Sequence, residues 1–181
     1  MKKSVLAAAL LAVSVTMPAG AEVLVGGAAM LPTKNIVENA SNSADHTTLV
    51  AAVAAAGLVE TLQGKGPFTV FAPVNSAFAA LPAGTVDALL KPENKKTLTG
   101  ILTYHVVADR VTSADLKKLI KAGGGEAEIA TVAGGKLVAS MNGPSNIIIR
   151  DATGGVANVT VYDVLQANGV IHSIDKVLLP N

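Results

Sequence analysis

Gly66-Pro67-Phe68-Thr69-Val70-Phe71-Ala72-Pro73-Val74-Asn75-Ser76-Ala77-Phe78 contains all three phenylalanines of the chain. Phe68 to Ala72 reads as a short buried strand, opened by Gly66-Pro67 and closed by Pro73. Asn75 then stands where a helix N-cap is wanted, because its side-chain oxygen can accept a free backbone N–H of the first turn. A helical piece, 76–81, follows and must stop before Pro82. A strand, a forced turn, a cap and an aromatic anchor in one short stretch describe a folding nucleus rather than a reactive site. Each buried Phe contributes roughly 1.5–3 kcal/mol, and no tryptophan or cysteine shares that role.

Around this nucleus the 181 residues fit one domain with a leader. Half are hydrophobic but only 3% are aromatic, so the core is built from Ala, Val, Leu and Ile. Met1-Lys2-Lys3, the apolar run Ser4 to Val15 and Ala19-Gly20-Ala21 follow the pattern of an export signal, with residues 1–21 removed before Glu22. Losing Lys2 and Lys3 turns the net charge of +1 into −1. A nearly neutral mature chain excludes nucleic acid or an anionic membrane as its main partner. With no cysteine there is no disulfide framework, thiolate nucleophile or lipid-anchored junction. The expected destination is the periplasm, the medium or the cell surface, with no membrane span left after cleavage.

Residues 22–35 read as a linker or short strand, with Val23-Leu24-Val25 extended and Gly26-Gly27-Ala28-Ala29 loose. Asn35 opens a helix through Ile36 and Val37, and a cluster of cap-type residues, Asn42 to Asp45, precedes another. The latter carries Leu49, Val50 and Val53 at helical spacing until Gly57. Leu98, Ile101, Leu102 and His105 share one face of a later helix, and Thr112-Ser113 cap a third. After Gly123-Gly124-Gly125 the period changes. β-branched runs at 127–132, 136–141, 146–150, 157–161 and 169–179 alternate with glycine-containing turns. Helices first and strands afterwards argue for an α+β domain over 36–181.

Three segments together resemble the fasciclin domain family. Thr69 to Phe78 is similar to its first signature box, Tyr104-His105-Val106 to its central element, and Asn168-Gly169-Val170-Ile171-His172-Ser173-Ile174-Asp175-Lys176-Val177-Leu178-Leu179-Pro180 to its closing box. The resemblance implies a wedge of about seven β-strands with several short helices packed against it. It also implies structural roles for Phe68, Phe71, Pro73, Asn75, Phe78, His172 and Asp175. Val74 departs from the family, which usually has Thr there, and should weaken the turn slightly. Animal matrix members bind integrins through an Asp followed by two aliphatics just before the closing box. The matching positions are Asp163, Val164 and Leu165, candidate partner-binding residues for which a cap or turn role at Asp163 is the competing reading.

Catalytic patterns are wanting. No G-x-S-x-G elbow, H-E-x-x-H pair or calcium-type loop occurs, and Gly123-Gly124-Gly125 lacks the strand and helix of a phosphate cradle. His105 lies on an apolar helix face and His172 alternates with Val170 and Ile174 along a strand. Both read as buried histidines tied to backbone, since an unpaired buried ring nitrogen is costly. No metal and no cofactor are expected. The resemblance implies a monomeric, non-enzymatic secreted module for cell adhesion or matrix attachment, through contacts to a surface protein or glycan. The competing reading is a periplasmic small-molecule carrier or hydrolase with a cleft near Tyr104 and His105.

Overall fold

A computed structural model describes residues 23–181; the export signal read at 1–21 lies outside them. The segment expected as a linker forms a hairpin, β1 (Val23–Val25) with β2 (Ala28–Met30), closed by Gly26-Gly27. Helix α1 (Ile36–Asn42) starts on a capping box in which Asn35 accepts the Glu38 N–H and the Glu38 carboxylate accepts the Asn35 N–H. A 3-10 turn, Ala44–His46, leads into α2 (Thr47–Ala56), which Gly57 ends in the left-handed conformation. After α3 (Val59–Gln63) comes the nucleus strand β3 (Phe68–Pro73), then the short helices α4 (Asn75–Ala79) and α5 (Thr85–Leu89). Pro92–Asn94 makes a 3-10 turn into α6 (Lys95–Tyr104). Strand β4 (Val106–Val107) follows, then α7 (Ser113–Ala122), capped by the Thr112 and Asp115 box. The remaining strands are β5 (Glu126–Ala130), β6 (Lys136–Asn142), β7 (Asn146–Arg150), β8 (Val156–Gln166) and β9 (Gly169–Ile174).

Seven strands form one sheet in the order β4-β3-β9-β8-β7-β6-β5. All neighbours are antiparallel except β3 and β9, which run parallel in register from Phe68↔Gly169 to Pro73↔Ile174. The first and closing boxes are thus adjacent central strands. Beyond β5, the Val132 N–H donates to the Val106 carbonyl at 2.8 Å and Ala133 to Thr103 at 3.3 Å. These bonds draw the two edges together and leave little open edge for other chains.

Strand β3 is buried on both faces, which is why it reads as an unbroken apolar run. Val70 and Ala72 pack into one core with the hairpin, α1, α2 and α6. Phe71 points the other way, into a second core enclosed by the sheet and α7 with Tyr104, Leu116, Ile149 and Leu178. Phe78 belongs to the helical core, and half-buried Phe68 packs on its margin. The three phenylalanines therefore serve two interiors.

The parallel pair begins at a very close approach. The Phe68 N–H donates to Asn168 C=O at 3.0 Å. A Cβ on Gly66 would sit 2.1 Å from that carbonyl oxygen, and one on Gly169 would sit 2.1 Å from the Phe68 oxygen. Gly66 also has φ +64°, a region open to glycine at no steric cost. Asn168 itself is buried; its Oδ1 accepts the Ile36 N–H at 3.0 Å, and its Nδ2 donates to Leu62 and Gly64 carbonyls at 2.7 and 2.8 Å. One side chain thereby closes the end of α3 and the start of α1 onto the strand pair.

The N-cap expected of Asn75 is corrected. Val74 occupies the cap position of α4 and makes no side-chain bond there, while Asn75 is already helical. Its Oδ1 instead accepts the Thr48 N–H at 3.0 Å and the Thr47 hydroxyl at 3.2 Å, and its Nδ2 donates to Ala44 C=O at 2.8 Å. Asn75 caps α2, whose own N-cap position, His46, makes no capping side-chain bond. Asn75→Ala is expected to lower stability by about 1–2 kcal/mol, with urea unfolding as the measurement. Asn75→Asp keeps the oxygen that accepts from Thr47 and Thr48 and adds a charge favourable to the helix dipole, but turns the donor to Ala44 C=O into an acceptor, so it should recover only part of the loss.

Candidate functional site

The three histidines are held internally. Nδ1 of His105, at the C-terminus of α6, donates to Ile101 C=O at 2.8 Å and its Nε2 accepts the Leu178 N–H at 2.9 Å. His172 accepts the Asp163 N–H at Nδ1, 3.3 Å, donates from Nε2 to Val111 C=O at 2.9 Å, and stacks on Phe71 with ring centroids 5.7 Å apart. In both rings one nitrogen donates and the other accepts, so the bonding describes the neutral imidazole. Burial lowers the His105 pKa to about 4, and its bond to Ile101 and the Asp151 charge only partly oppose this. Burial likewise holds His172 and His46 below the usual histidine value.

Tyr104 and His105 do not line one cleft. Tyr104 is fully buried in the sheet-enclosed core, where its hydroxyl donates to Lys136 C=O at 2.7 Å and accepts the Ala152 N–H at 3.0 Å. Burial, against that bond and with the Asp151 charge, raises its pKa. A Cβ on Gly135 would lie 2.7 Å from the Tyr104 ring, so this turn is glycine for want of room. His105 faces the opposite, helical side. The neighbours in sequence divide between the two cores.

Asp163, Val164 and Leu165 also diverge. Asp163 has φ +53°, the left-handed region that Asp tolerates better than most residues, and it sits where the β8–β9 register shifts between Val161 and Val164. This bulge aims its carboxylate at the start of α7, where it accepts the Ser113 N–H at 2.7 Å and the Ser113 hydroxyl. Val164 is 1% exposed. Leu165 is 45% exposed and alone of the three offers its side chain to solvent. Beside it, exposed Arg110 donates to Gln166 C=O at 3.2 Å.

Two anchors escaped the sequence reading. Buried Asp151 accepts N–H groups from Thr153, Gly155 and Leu179, fastening the C-terminal segment. Buried Asn39 bonds to Leu31 and to the Gln166 side chain. Asp175, placed in the closing box, holds Asn158 through both its N–H and its side chain at 2.7 and 2.8 Å. Among the described residues no buried side-chain nitrogen or oxygen lacks a partner, and no group of three or more His, Asp or Glu is placed to hold a metal. None of their helices is long and apolar enough to cross a membrane.

The concave feature of the helical side is a cavity of about 210 Å³ under α1 and α2, floored by β3 and β9. Its walls are Val, Leu, Ile, Ala and Met with three serines and two histidines, and no charged residue. At one end Ser43 Oγ lies 2.9 Å from Nδ1 of His46, and Ser173 Oγ lies 3.4 Å from its Nε2. Natural interiors keep few voids larger than a water molecule.

A family model described as Fasciclin domain matches residues 44–180. Protein sll1483 of Synechocystis sp. is 49% identical over 147 residues, covering 80% of this chain and 73% of that protein. Immunogenic protein MPT70 of Mycobacterium tuberculosis is 35% identical over 192 residues, covering 95% and 90%. The structure of a FAS1 domain pair from the insect cell adhesion molecule Fasciclin I superposes with a TM-score of 0.72 at 18% identity. That match covers 81% of this chain and 51% of the domain pair, so the chain spans about half of it and the likeness shows the fold. The chain belongs to the fasciclin domain family, and its seven-stranded sheet with packed helices is the α+β fold the three boxes implied.

His105 makes stability pH-dependent. Its folded pKa of about 4 lies below the ordinary histidine value of 6.5, so between those limits the unfolded chain binds more protons. The stabilisation is complete above pH 6.5 and is lost as pH falls through 4, with a span on the order of 3 kcal/mol. His46 and His172 act in the same direction. Urea midpoints of the wild type should fall between pH 7.5 and 4.5, and His105→Gln should show a shallower fall.

Proposed function

We propose that the chain is a secreted, non-enzymatic binding module that serves adhesion or surface attachment through contacts to a protein or glycan. The observation that carries this reading is the commitment of the signature residues to contacts within the chain. Phe71, His105 and His172 are buried, and half-buried Asn75 and exposed Asp175 spend their polar atoms on bonds to other segments, leaving the outer surface for recognition. Membership of the fasciclin family supports it, as does the fold likeness to an insect cell adhesion molecule. The export pattern at residues 1–21 accords with a working place in the periplasm, the medium or the cell surface.

The contact surface is centred on Leu165 and Arg110. An exposed leucine beside a cation, on a strand pinned from behind by buried Val164 and by Gln166, is a rigid patch suited to a partner with an apolar and an anionic feature. A hydrolytic reading has one supporting feature, the Ser173–His46–Ser43 series. Yet the third member there is a hydroxyl, so no carboxylate orients the imidazole as in a serine hydrolase.

Attachment of cells with and without the gene to protein- and glycan-coated surfaces is the test. Wild-type protein is expected to restore attachment to the deletion strain, while Leu165→Asp and Arg110→Glu, with urea midpoints near wild type, should restore several-fold less. Equal attachment with and without the gene on every surface would end the adhesion reading. Full restoration by both variants would move the contact elsewhere.

A further inference from the structure

We propose that the cavity beneath α1 and α2 is a binding site for a small neutral aliphatic molecule carrying one hydroxyl, its oxygen at the Ser173 and His46 end and its chain buried against the helices. This inference does not rest on the adhesion reading, which concerns the opposite resource of the molecule, its outer surface.

Size comes first. An engineered apolar cavity of about 150 Å³ takes up benzene, so the 210 Å³ here has room for a chain of about six to eight carbons. Access follows from the exposure of the lining. Most wall residues are buried, but Ser41 on α1 and Ala54 on α2 are exposed and border the same cavity, placing its mouth between these two helices. Chemistry then selects the class. With no lysine or arginine among the lining residues, a carboxylate or phosphate would be buried without a counter-charge, which is far costlier than burying a hydroxyl with a hydrogen-bond partner.

The polar end lies at His46. Its ring hydrogen-bonds the Ala72 carbonyl, which can only accept the ring's proton. Ser43 Oγ lies 2.9 Å from Nδ1 and Ser173 Oγ 3.4 Å from Nε2 of the same ring. A separation of 3.4 Å is a long hydrogen bond. A ligand hydroxyl entering there can replace this long contact with a shorter bond to Ser173 Oγ, beside the imidazole edge of His46. The remaining lining histidine, His105, has both ring nitrogens bound to backbone and contributes only a wall.

The experiment is a titration of n-octanol and, separately, of octanoate at pH 7.5 into the protein as its cells produce it, followed by valine and leucine methyl NMR signals. Saturable shifts are expected at Val50, Val53 and Leu102, with Leu137 and Val159 of the other core unmoved. Octanoate should bind at least about tenfold more weakly, the cost of burying an unpaired charge. Ala54→Phe and Ala40→Phe narrow the site from two different helices, so at least one folded variant with lost binding is expected. His46→Leu or Ser173→Ala, if folded, should weaken n-octanol by about tenfold, the value of one buried hydrogen bond. The proposal is overturned if the lining methyls do not shift saturably, if octanoate binds as well as n-octanol, or if folded cavity-narrowing variants bind unchanged.

Discussion

The parallel pairing of β3 with β9 is the constraint on which the rest depends. These strands come from segments about a hundred residues apart, and closing so long a loop costs entropy that a few backbone hydrogen bonds cannot offset alone. The pairing is stabilised from both faces. Val70, Ala72 and Ile171 reach into the helical core, while Phe71 and Ile174 reach into the core enclosed by the sheet. This seam is the main sheet contact between the two halves of the chain, so a flaw at Gly66 or Gly169, where a Cβ would collide with the facing backbone, would strain it.

Buried and half-buried polar side chains complete what apolar packing starts. Asn168, Asn75, Asp163, Asp151, His105 and His172 each bind backbone groups that the regular elements leave free, at helix starts, helix ends and the turn into the C-terminal segment. A chain with neither disulfide nor tryptophan relies on such ties to select one packing, because Ala, Val, Leu and Ile alone tolerate many. The neutral histidines fit this role best. Each offers a donor and an acceptor on opposite sides of a flat ring, enough to link two segments without burying a charge.

The same division of labour separates the molecule's two faces toward the outside world. The surface over the sheet-enclosed core shows charge pairs such as Arg150–Glu126 and Lys136–Glu128, exposed and of modest energetic weight. The helical side is looser, with short helices, small residues and the apolar cavity. Alanine-rich α2 packs closely but fills little volume, which is why the space lies beneath it.

Local order was legible in the amino-acid string. Asn35, Thr112 and Gly57 mark helix ends because capping is settled within a few residues, and the shift from helical to alternating period separates the halves because it records one-sided burial. The apolar run Phe68 to Ala72 announced a strand covered on both faces. Tertiary structure decided everything that needed a distant partner: the parallel sense of β3 and β9, the helix that Asn75 caps, the carbonyls that Asn168 collects, and the opposite cores for Tyr104 and His105. It also turned Asp163 inward and left Leu165 outside, since the β8 bulge reverses which side chains face solvent. Helix caps and periodicity are short-range and written in consecutive residues; cavities and long-range ties exist only once remote segments share a volume.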